Sequence, residues 1–125
     1  MDIELNVLGT KLKPCCYEPL TGYFRDGFCR TIQEDRGTHI ICAVMSSAFL
    51  AYTKSRGNDL STPIPHWNFP GLSPGDKWCL CISRWLQAKE AGKAPHIILE
   101  SCHEKVLEYT DLHTLLSYEH NTLEK

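Results

Sequence analysis

The sequence predicts an α+β fold: one compact domain with a small sheet, several helices and a long ordered loop. Three observations carry this expectation. The 125 residues make a single domain by length, and a chain of that size buries enough surface to hold a core without staples. Two short apolar runs, "THIICAVM" from Thr38 to Met45 and "HIILE" over residues 96–100, read as buried strands. Around them, helical patterns follow in irregular order, unlike the steady alternation of strand and helix in a doubly wound sheet.

In chain order, residues 2–8, "DIELNVL", alternate polar and apolar side chains as a short strand does, and Gly9 ends the run. "KLKPCCYEPLTG" is an irregular connection. The Asp26-Gly27 pair, set between aromatic residues in "GYFRDGFCRT", predicts a short hairpin. After strand 38–45, Ser46 is placed to cap a helix over 47–56, with Phe49, Leu50 and Tyr52 near one face and Gly57 as terminator. A second helix is expected over 77–91, because Trp78, Cys81, Ile82 and Trp85 fall at i, i+3, i+4 and i+7, and Gly92 and Pro95 follow. Ser101 and Glu104 have the spacing of a capping box for a short helix to about Tyr109. Thr110 is expected to cap a last short helix carrying Leu112, Leu115 and Leu116, with the tail 116–125 frayed.

Between helices 47–56 and 77–91 lies a stretch from Asn58 to Asp76 of about twenty residues, longer than nearly all structureless connections in compact domains. Leu60, Ile64, Trp67, Phe69 and Leu72 give it apolar anchors and its prolines stiffen it, so an ordered loop is expected. Loops positioned by rigid elements are where sites concentrate. This loop is expected to cover a small-molecule pocket at the start of helix 77–91.

Basic residues number 13 against 15 acidic, with no block of like charge, which argues against nucleic acid or an anionic membrane as the main partner. No apolar run approaches the ~18 residues of a membrane span. The opening "MDIELNVLG" lacks the basic-then-apolar order of a secretory signal. A cytoplasmic location is therefore expected, with the seven cysteines as free thiols.

Five stretches, "RDGFCRT", "GTHIICAV", "RGNDLSTP", "FPGLSPGDKWCLC" and "SRW", resemble those shared by the domain-of-unknown-function 2237 family, small proteins found largely in bacteria. The resemblance runs from about Asn6 to Leu116. It implies no activity and no catalytic residue, because the family has no assigned function. Ser101-Cys102-His103-Glu104 stands where similar proteins have Ala-Thr-His-Glu, so the resemblance gives Cys102 no essential role.

The chemistry must be read from the residues. Pro74-Gly75 suits a type II turn with Asp76 as the helix cap, which puts Cys79 in the first helical turn, where the dipole and unpaired amides favour a thiolate. The rival cap, Ser73, would set Cys79 about three positions deeper. A thiolate nucleophile needs a proton partner: His39, at the beginning of one expected strand, and His103, in the first turn of the helix after the other, are the candidates, and His66 in the loop is a third choice. His96, His113 and His120 read as surface residues.

Asn58, Asp59, Thr62, His66, Trp67 and Arg25 are the expected ligand-binding residues, Asp59 also as orienter of a histidine. Arg30 and Arg36 are further cations near the hairpin. The leading expectation is acyl or thiol transfer at Cys79 on a small molecule. One alternative is a non-catalytic module for a small anion or peptide. A second is a structural zinc site with Cys29, His39 and Cys42, completed by Cys79 or Cys102-His103. Zinc ranks last, because His39 and Cys42 point to opposite faces of a regular strand and no usual paired-ligand spacing occurs. No other cofactor is indicated: glycine-rich phosphate loops, HExxH and GxSxG are all lacking.

Overall fold

Two antiparallel strands, β1 (His39–Val44) and β2 (Lys77–Cys81), form the centre of the fold in the computed structural model, which describes residues 4–67 and 69–120. Three helices accompany them: α1 (Ser47–Ser55), α2 (Ile82–Glu90) and α3 (Leu112–Leu116). The class is α+β, as expected. Ile40, Ile41, Cys42 and Ala43 are fully buried, consistent with a continuous apolar run covered on both faces. In the ladder Cys42 faces Cys79, Ala43 faces Trp78 and Val44 faces Lys77, with a slip between His39 and Ile41.

Helix α1 follows its local signals. The Ser46 hydroxyl accepts the Phe49 amide at 3.1 Å, Phe49 and Leu50 are buried, and Gly57 turns the chain away at φ +91°.

The expected helix 77–91 is corrected to a strand followed by a helix. "KWCLC" also carries a period of two, and its pairing with β1 buries Trp78, Cys79 and Leu80. Tertiary pairing overrides an apolar periodicity that suits both structures. The helical face of α2 consists of Ile82, Trp85 and Ala88. The Pro74-Gly75 turn does form, with the Asp76 amide donating to the Ser73 carbonyl at 3.0 Å and Gly75 at φ +98°. It leads into β2, so Cys79 lies in a strand and not in the first turn of a helix.

Other departures have the same origin. Strand 96–100 shrinks to single bridges from Ile97 to Ala43 on one side and Glu119 on the other, and Leu99–Ser101 form a 3₁₀ turn. The Ile97 amide donates to the Tyr118 carbonyl at 2.9 Å and the His120 amide to the Ile97 carbonyl at 2.8 Å, so the chain is docked as far as His120. Residues 121–125 of the expected frayed tail lie outside the described residues, as do residues 1–3 of the expected strand 2–8. In its described part, Leu5 bridges Lys11 and Asn6 bridges His103, with no strand. No strands flank Asp26-Gly27, where the Asp26 carboxylate accepts from the Phe28 amide and from Arg30.

The capping assignments shift by one or two residues. The Ser101 hydroxyl donates to the Pro14 carbonyl, and His103 Nδ1 accepts the Lys105 amide at 3.0 Å to open a 3₁₀ turn over Glu104–Glu108. Asp111, not Thr110, caps α3 by accepting the Thr114 amide at 2.7 Å. Adjacent polar side chains compete for the same amides, and only the approach of the chain decides among them.

The free-thiol expectation is also corrected. Disulfides join Cys15 to Cys42 and Cys29 to Cys79, while Cys16, Cys81 and Cys102 are free. Both bridges fasten the irregular segment before β1 onto the sheet. Among the described residues no helix is long and apolar enough to cross a membrane.

Candidate functional site

The described residues of the loop from Asn58 to Asp76 are held by contacts among themselves and with β2. Ile64 and Phe69 exchange backbone bonds of 2.8 and 3.2 Å, the Leu72 amide donates to the Leu60 carbonyl at 2.8 Å, and the Phe69 ring meets Trp78 edge-on at 5.2 Å. Between this loop, β2 and the segment around Gly22 to Arg25 opens a cleft of about 530 Å³, with Tyr23, Ile64, Trp67, Phe69 and Trp78 in its wall. Such a volume suits a small organic molecule.

Arg25 is the cation of the wall. Its backbone takes the left-handed region at φ 55°, held by the Arg25 amide (3.0 Å) and Nη1 (2.7 Å), which both donate to the Gly22 carbonyl. The guanidinium lies over the Trp78 ring at 5.1 Å, and Nε is buried without a hydrogen-bond partner among the described residues. Burial pulls Arg25 below its ordinary pKa, yet a guanidinium keeps its charge. A non-glycine residue at positive φ with an unsatisfied buried donor is a conformation held by its surroundings, as at many ligand sites.

His39 also lines the cleft, and its acidic partner is Asp35, not Asp59. His39 Nδ1 stands 2.7 Å from Asp35 Oδ1, where a protonated Nδ1 donates to the carboxylate. The Asp35 carboxylate is almost fully buried and also accepts from the His39 amide and the Thr31 hydroxyl, each at 2.9 Å. Burial by itself would raise the Asp35 pKa; the bonds and charge of His39 and the bond from Thr31 outweigh it and hold the group below the usual carboxylate range. Gly37 packs on the ring so closely that an added Cβ would lie 2.9 Å from His39 Nε2.

Because the folded pKa is lowered, Asp35 contributes stability above the unfolded value near 3.9, lost as pH falls through the folded value. Asp35→Asn is expected to cost about 2–3 kcal/mol at neutral pH, by removing the charged acceptor of several bonds. Its unfolding free energy should depend less on pH below about 4 than that of the parent, measured by urea titration at successive pH values.

Six of the expected residues line this cleft: Arg25, His39, Asn58, Asp59, Trp67 and Cys79. Asp59 is engaged locally, accepting from the Ser61 and Thr62 amides and from the Thr62 hydroxyl, and those bonds, the hydroxyl first, lower its pKa. Asn58 donates to the Thr53 hydroxyl at 3.0 Å. Thr62 and His66 lie outside the lining, His66 edge-on to Trp67. His103 faces a different, polar groove with Glu4, Thr31, Asp35 and Lys105, its Nε2 2.7 Å from Glu4.

Cys79 is not the free, helix-activated thiol expected, because it lies in β2 and is bonded to Cys29. The expected zinc set is divided too: Cys29 and Cys42 belong to separate disulfides and His39 Nδ1 is committed to Asp35. A different sulfur cluster exists, however, with the Sγ atoms of Cys15, Cys29 and Cys79 all within 4.8 Å of one another. Sequence reasoning missed Asp35, Tyr23 and Trp78 as site residues. The only signal for Asp35 was a carboxylate four residues before His39 across a glycine turn, a pattern too common to single out.

Residues 5–119 fit the family described as "Uncharacterized protein conserved in bacteria (DUF2237)". The chain belongs to this family. No curated protein matches it.

Proposed function

We propose, for this member of a family that brings no activity with it, that the cleft binds a small organic anion with an apolar or aromatic body and that His39 exchanges a proton with it. One observation carries the proposal: Arg25 and the Asp35-supported His39 meet in a single cleft walled by aromatic rings. The cation attracts the anionic group, the rings suit a flat apolar body, and Asp35 stabilises the imidazolium that forms when His39 takes a proton. Cys79 is part of the wall in this reading, since a sulfur committed to Cys29 cannot attack an acyl group.

Benzoate and phenyl phosphate are the first probes, titrated with tryptophan fluorescence as readout because Trp67 and Trp78 line the cleft. Saturable binding is expected, weakened about 10- to 100-fold by Arg25→Gln, the worth of one charged hydrogen bond. His39→Gln should leave probe affinity within a few-fold. Binding that ignores Arg25→Gln would remove the anion site.

A further inference from the structure

We propose that Cys15, Cys29, Cys42 and Cys79 form a redox-gated zinc site, four thiolates around one Zn²⁺ when reduced and two disulfides when oxidised. Cys42 and Cys79 are directly opposed across the β1–β2 ladder, so their side chains leave the same face of the sheet. Cys15 and Cys29 reach that face from the irregular segment, each bonded to one strand cysteine. The two bridges lie side by side: the sulfurs of Cys15, Cys29 and Cys79 are within 4.8 Å of one another and Cys42 is bonded to the first.

Zinc fits this arrangement. Four Zn–S bonds of about 2.3 Å at tetrahedral angles set the sulfurs roughly 3.8 Å apart; Cys15, Cys29 and Cys79 already lie within 4.8 Å of one another, and Cys42, bonded to Cys15 but outside that group, must close in as the bridges open. All four residues are buried, between 0% and 6% exposed, as suits a closed structural site with no open position for substrate. The ligand set differs from the one expected from sequence, because no two of the four lie closer than thirteen residues apart and only folding gathers them.

Cys102 stays outside the set: its sulfur accepts the Cys42 amide at 3.3 Å and its thiol points to the Cys42 carbonyl at 3.8 Å, so it is engaged with the β1 backbone. Cys16 and Cys81 are partly exposed and lie outside the cluster.

The gating step balances with a peroxide as oxidant. The four thiolates give up four electrons as two S–S bonds form; two hydrogen peroxide molecules take these electrons and four protons from water to become four waters, and Zn²⁺ leaves. The zinc form suits a reducing compartment and the disulfide form an oxidising one.

The test begins with the full chain reduced by a phosphine, then titrated with Co²⁺ and Zn²⁺. Uptake of one Co²⁺ per chain is expected, with the visible bands of tetrahedral cobalt and sulfur-to-metal charge transfer in the near ultraviolet, and Zn²⁺ should displace it. Peroxide should then release the metal to a chromogenic chelator and yield the 15–42 and 29–79 bridges by peptide mapping. Cys29→Ser and Cys42→Ser should each weaken Zn²⁺ at least about 100-fold. Cys16→Ser/Cys81→Ser, which spares the core, should bind within about threefold of the parent, so the site is testable even where a core variant fails to fold. A reduced, folded chain that takes up no Co²⁺, or that loses uptake in the Cys16→Ser/Cys81→Ser variant, overturns the proposal.

Discussion

Reducing both disulfides in the presence of a metal chelator is expected to lower the melting temperature by more than about 10 °C. The bridges close loops of sequence separation 27 and 50, each worth about 3–4 kcal/mol by loop entropy. Together they approach the whole stability of an ordinary domain, about 5–15 kcal/mol. The loss should be concentrated before β1. From Thr10 to Thr38 there is neither helix nor strand, and the buried apolar side chains of this stretch are Leu12, Cys15 and Cys29. Without its bridges the segment keeps polar ties to the sheet, such as the Cys79 amide donating to the Thr21 hydroxyl at 2.7 Å and Arg25 over Trp78, but little buried apolar surface. Hydrogen exchange should show amides between residues 15 and 35 losing protection before those of α1, and calorimetry should give the shift. A melting temperature unchanged by reduction would mean that other contacts hold the segment.

Trp85→Ala is expected to cost about 3–5 kcal/mol, the range for deleting a buried indole. Trp85 is fully buried on the inner face of α2. Its Nε1 donates to the Pro95 carbonyl at 3.1 Å and its ring meets Tyr118 edge-on at 5.0 Å. One side chain therefore joins α2, the turn after it and the docked chain around Tyr118. Trp85→Phe should cost less, since it keeps an aromatic edge and leaves a smaller void, but it strands the Pro95 carbonyl at about 1–3 kcal/mol. Urea unfolding of both variants checks the order. Equal losses would place the energy in the hydrogen bond and not in the packing.

Part of the candidate site was legible in the loop that walls it. The length and anchors of the 58–76 loop marked it as ordered, and Arg25, His39, Asn58, Asp59, Trp67 and Cys79 do line one cleft. The roles were harder to read than the positions. Asp59 was a natural partner for a histidine, but its carboxylate is taken by the next turn of chain, while Asp35 is the carboxylate at His39 Nδ1. His103 was placed near His39 by symmetry of the expected strands, and it faces another groove because the second strand is no more than single bridges from Ile97.

By itself the sequence determined what a few consecutive residues can settle. Ser46 and Gly57 bounded α1, the apolar run made β1 a buried strand, and Pro74-Gly75 made a turn. Each depends on capping, propensity or positive φ within one window of chain. Only the tertiary structure decided that 77–81 is a strand, which cysteines pair and where the chain end docks. Those outcomes rest on partners far apart in sequence, 50 residues for Cys29 and Cys79 and 94 for the Asn6 side chain and the Glu100 carbonyl. No local pattern contains both members of such a pair, and its energy exists only once the fold has brought them together.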